Sequence, residues 1–67
     1  MKKIDNGVYT HTYKGYEYFI DKINHGEYHI YTDTKTYGHY RCATATTLDG
    51  CKRMIEDWTQ WRIEKGE

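Results

Sequence analysis

Apolar and aromatic positions recur every second residue between positions 8 and 44, then every third or fourth residue from Leu48 onward. Alternation at period two is what a half-buried strand requires, because successive side chains leave opposite faces of the pleat. Spacing of three and four places side chains on one helical face. The pattern predicts strands over residues 8–13, 16–23, 27–33 and 39–44 and a helix over 47–64. The breaks between strands carry turn chemistry. Lys14-Gly15 suits a two-residue hairpin loop, and Gly26 closes an Asn24-His25-Gly26 loop of three residues. Residues 34–37 and Gly38 make the last turn. Short connections favour neighbouring antiparallel strands, so the expected fold is α+β, an antiparallel three- to four-stranded meander with one C-terminal amphipathic helix packed on one face.

The loops also fix register. A Lys14-Gly15 loop sets Tyr13 against Tyr16, His11 against Tyr18 and Tyr9 against Ile20. The next loop sets Ile20 against Ile30, Phe19 against Tyr31 and Asp21 against His29. Tyr9, Tyr18, Ile20, Tyr28, Ile30, Tyr40 and Cys42 then share one face, and a slip of one residue would scatter them. The helix stripe of Leu48, Cys51, Ile55, Trp58 and Arg62, widened by Met54 and Trp61, should cover that face. Cys42 and Cys51 would come from facing layers. Thr46 is the expected N-cap, with Asp49 three positions on, and Gly66 the expected C-cap. Gly50 is a poor helix former with no account in the sequence.

The opposite face should stay open. It is expected to show mostly polar side chains, among them Thr10, Thr12, Glu17, Asp21 and Glu27, together with Ile23 and Ala43. Phe19, Tyr31 and Arg41 interrupt this, in a row across three strands, with His29 and His39 nearby. Such a row can anchor a protein partner, stack a nucleobase, or simply stabilise the sheet by cross-strand pairing.

Composition narrows the function classes. The chain has 67 residues, eight of them tyrosine, with ten basic and ten acidic side chains balancing to zero net charge. One domain over 1–67 is expected, near the lower size limit for an unaided core. Neutrality argues against a strongly nucleic-acid-binding protein, which is usually basic. No run of about 18 apolar residues is present, so no membrane span is expected. The start, Met1-Lys2-Lys3-Ile4-Asp5-Asn6-Gly7, lacks the apolar core of a signal peptide, and a cytoplasmic location is the expectation. Two cysteines in a reducing compartment read as buried thiols.

Candidate chemistry is thin. His29, His39 and Asp21 offer two imidazoles and a carboxylate, a donor set that zinc accepts, but no zinc-binding spacing accompanies them. The chain contains no serine. Cys51 sits on the apolar stripe, and Glu56-Asp57 beside Lys52 and Arg53 is a solvated charge pattern. No catalytic residue, metal or cofactor is expected, and the chain reads as a non-enzyme.

The helix opening Thr46-Thr47-Leu48-Asp49-Gly50-Cys51-Lys52-Arg53-Met54-Ile55-Glu56-Asp57-Trp58, after a Tyr-rich sheet, resembles two groups of small proteins. One is the short accessory proteins of phages and mobile elements, of the anti-defence type. The other is the arm-type DNA-binding domain of tyrosine integrases (AP2-like). The first resemblance implies a stoichiometric factor that binds a host protein or complex, as anti-CRISPR proteins do. The second implies nucleic-acid binding through the open sheet face, a role for which this chain lacks the basic sheet. A homodimer formed through the open face is a third possibility. In each case Phe19, Tyr31, Arg41, His29 and His39 are the candidate binding residues.

Overall fold

A computed structural model describes residues 1–67. Five strands, β1 (Lys2–Asp5), β2 (Val8–Tyr13), β3 (Tyr16–Asn24), β4 (Glu27–Thr34) and β5 (Gly38–Ala45), precede one helix, α1 (Leu48–Lys65). The sheet is antiparallel in chain order, β1-β2-β3-β4-β5. The α+β meander with a C-terminal helix matches the sequence reading, with one strand more than the three to four expected. The additional strand, β1, is joined to β2 through Asn6-Gly7, a dipeptide strongly favoured in two-residue hairpin turns. Gly7 takes φ +73°, and its carbonyl accepts from Lys22 N at 2.8 Å.

Register between β2 and β3 and between β3 and β4 follows the expected pairs: Tyr13 with Tyr16, Tyr9 with Ile20, Ile20 with Ile30, and Phe19 with Tyr31. Lys14 and Gly15 both adopt positive φ, as a tight hairpin turn demands. Besides the irregularity of the β1–β2 pair between Lys3 and Asp5, two bulges modify the rest. In the first, Ile23 is the extra residue, so Asn24 pairs with Glu27 and the connection shortens to His25-Gly26. In the second, Ile30 pairs with Ala43 while Tyr31 pairs with Arg41, which leaves Cys42 as the inserted residue. A bulge changes the parity of everything beyond it. Ala43 is thereby carried from the expected open face to the helix side, where it packs against the core, and Thr44 takes its place opposite His29.

The helix begins one residue later than expected. Thr47, with extended φ and ψ, is the N-cap, and its Oγ1 accepts from Gly50 N at 2.9 Å. Gly50 now has a physical account. A Cβ there would lie 3.1 Å from Thr47 Oγ1 and 3.4 Å from Ala45 Cβ, so the glycine lets the cap and the end of β5 close in. Gly66, at φ 75°, ends the helix as expected. Its N–H and that of Glu67 donate to the carbonyls of Ile63 and Arg62, a Schellman arrangement.

Tyr18, Ile20, Ile30, Cys51 and Ile55 form the fully buried centre between sheet and helix. Several polar groups at its margin are paired, although the Trp58 indole N–H is not. Tyr18 and Thr59 hydroxyls meet at 2.6 Å. Arg62 lies almost wholly inside: Nη1 donates to Thr32 Oγ1 at 2.9 Å, Nη2 donates to the Asp33 carbonyl at 3.0 Å, and the guanidinium sits 4.4 Å from the Tyr16 ring centre. A planar, weakly hydrated cation suits such a site: its two Nη groups find acceptors and the Tyr16 ring stacks on it, while Nε is buried without a partner. Met54 and Trp61, expected to widen the buried stripe, are instead exposed.

Candidate binding site on the open sheet face

Helix α1 covers one side of the sheet and leaves the other uncovered. The pleat that buries Tyr18, Ile20 and Ile30 necessarily turns Phe19 and Tyr31 outward. Phe19 pairs with Tyr31, and Tyr31 with Arg41, so the expected row across β3, β4 and β5 is present. His39 enlarges it. Its ring lies parallel to that of Tyr31 (5°) at 5.5 Å, and 6.1 Å from Phe19. Three rings thus form a contiguous patch, with Phe19 and Tyr31 half-buried and His39 and Arg41 exposed.

Two hydrogen bonds orient the histidines. His39 Nδ1 lies 2.9 Å from Asp33 Oδ1, the residue directly opposite it, which fixes the ring over Tyr31. His29 Nε2 lies 3.0 Å from Glu27 Oε2. The hydrogen bond from His29 first, and that from Asn24 second, hold the Glu27 carboxyl below its ordinary value of 4.5. His29 pairs across the strands with Asp21 on one side and Thr44 on the other. It stands four residues from Asp33, about 13 Å along the strand, so His29 and His39 do not converge on one point. The two-imidazole donor set considered from the sequence is therefore not assembled.

Charge on this face has a sign. Glu17, Asp21, Glu27 and Asp33 all share it with Phe19 and Tyr31 by strand alternation, against Arg41 and Lys2. The sequence pattern places Glu17, Asp21 and Glu27 here, and the pairing of Asp33 with His39 adds a further carboxylate.

The thiols lie elsewhere. Cys51 is fully buried and Cys42 half-buried, both free, and burial pushes each up to about 11. A thiol so raised is almost entirely protonated near neutrality and a poor nucleophile. No helix is long and apolar enough to cross a membrane. Comparison with protein-family models, curated proteins and solved structures found no match to this chain.

Proposed function

We propose that this protein is a non-enzymatic binding factor whose open sheet face docks a protein partner bearing a basic surface. The observation that carries this reading is the Phe19–Tyr31–His39 ring patch, framed by Glu17, Asp21, Glu27 and Asp33. Aromatic side chains held in place by their neighbours make effective anchors because little freedom remains to be lost on binding. The carboxylates around them favour a cationic partner and speed its encounter. Stoichiometric modulation of a host complex, as the resemblance to phage accessory proteins implies, is the form this activity takes.

The nucleic-acid alternative has less support. Phosphate binding needs clustered lysine and arginine, whereas four carboxylates share this face with Arg41 and Lys2. Capture from lysate of the native cell, with wild-type and Phe19→Ala/Tyr31→Ala baits side by side, tests the reading. A protein recovered only by the wild type supports it. Recovery of nucleic acid instead, or binding to DNA or RNA that weakens steeply with added salt, would replace it.

A further inference from the structure

The two edges of the sheet are unlike. β1 is four residues long, carries Lys2, Lys3 and Asp5, and is irregular where it meets β2, all features that blunt an edge against pairing. β5 is eight residues long with Arg41 as its one fixed charge, and its outer backbone has no neighbour in the strand order. The bulge at Cys42 leaves Gly38 to Arg41 as the regular half.

That half runs beneath a ladder of rings. Tyr37 packs on Tyr40 at 5.2 Å, Tyr40 on Trp58 at 6.1 Å, and Trp58 on Trp61 at 4.9 Å. On the helix, Met54, Trp58, Trp61 and Lys65 follow at intervals of four, three and four, so they lie along one flank. The Tyr40–Trp58 stack fixes that flank as the one above β5. Tyr37 is 61% exposed, Tyr40 39%, Met54 39% and Trp61 38%, and the Trp58 indole N–H is buried without an acceptor.

We propose that this flank is a two-fold interface between two copies of the chain. β5 pairs antiparallel with β5 of the second copy, and the two helices close over the seam. The geometry favours this occupant. An extended peptide could pair with the strand edge but would leave the helix flank wet. A two-fold axis normal to the sheet sets edge against edge and flank against flank together. The helices then run antiparallel, which brings the acidic first turn at Asp49 toward the basic last turn at Lys65 of the other copy. Zero net charge removes long-range repulsion between copies. The four exposed side chains offer roughly 400 Å² per copy, so the pair with its strand edges reaches the ~1,000 Å² of a weak specific interface. The open face stays free on both copies, independent of the dimer.

Sedimentation velocity and light scattering across a rising concentration series test this. The 8.1 kDa chain should double in mass at high concentration. Trp61→Glu should stay folded by far-UV circular dichroism yet remain monomeric. Ile63→Glu, equally exposed but on the other flank of α1, should dimerise like the wild type. Met54→Glu repeats the test on the same flank should Trp61→Glu fail to fold. A wild type that keeps monomer mass throughout overturns the proposal, as does a Trp61→Glu dimer, an equal loss in Ile63→Glu, or dissociation by Phe19→Ala/Tyr31→Ala instead.

Discussion

Ile30 lies at the centre of β4 with no exposed surface, against Ile20 on one side and the helix on the other. Truncation to alanine removes buried methylenes and leaves a cavity, a change that costs about 2–5 kcal/mol. Total stability for a chain of this length is itself about 3–10 kcal/mol, so Ile30→Ala should lose a large share of it, read as a much lower midpoint in a urea titration. A midpoint close to that of the wild type would contradict the assignment of this face to the core. His11 is one residue through which mild acid acts on the folded state. It points to the helix side of β2, where burial lowers its proton affinity below the ordinary 6.5, the N-terminal amine and Lys52 lower it further, and Glu56 opposes them. Such a histidine takes up a proton more readily unfolded than folded. Its contribution is therefore intact above 6.5 and is lost as pH falls through 6.5 toward the depressed value. His11→Gln should flatten the fall in melting temperature over that window relative to wild type, the other three histidines being common to both. Parallel pH curves would show that His11 plays no such part.

At the scale of elements, the helix is held at both ends by caps. Gly66 occupies the left-handed region at φ 75°, where a Cβ meets the following carbonyl. Gly66→Ala should cost about 1 kcal/mol, read from the chemical-denaturation midpoint; an unchanged midpoint would mean that the last turn frays. Element boundaries were legible in the sequence wherever local chemistry decided them. Lys14-Gly15 set the register of β2 with β3, and the spacing of Leu48, Cys51 and Ile55 set the helix face. Asn6-Gly7 carried the signal for β1 as well, but Lys2-Lys3-Ile4-Asp5 lacks the alternation that marks a half-buried strand, because an edge strand that covers no core needs none. The bulge at Cys42 was not legible. Nothing local in Tyr40-Arg41-Cys42-Ala43 demands an extra residue; its consequence, Ala43 packed against the core, is a tertiary contact that local sequence does not encode. The N-cap was displaced by one because adjacent threonines offer the same capping hydroxyl, and it is Thr47 whose Oγ1 accepts from Gly50 N.

For the whole molecule, the face that holds the core is distinct from the face proposed for recognition. The 4488 Å² of accessible surface is close to the roughly 4,500 Å² expected of a folded monomer of this mass, so one covered sheet face suffices for compactness. The Phe19, Tyr31 and Arg41 row was readable because register followed from the loops. Glu17, Asp21 and Glu27 were readable on the same face for the same reason, whereas the stacking of His39 on Tyr31 and the pairing of Asp33 with His39 depend on strand neighbours that only the fold supplies. Phe19→Ala/Tyr31→Ala should leave the fold standing, at a cost of about 1 kcal/mol in cross-strand pairing. The most direct test titrates the captured partner against the wild type and this double variant by isothermal calorimetry, with thermal melts run alongside. The account predicts a folded variant whose affinity falls by about 2 kcal/mol or more, roughly thirtyfold. A folded variant that binds the partner as tightly as the wild type would contradict it and move the working surface away from the open sheet face.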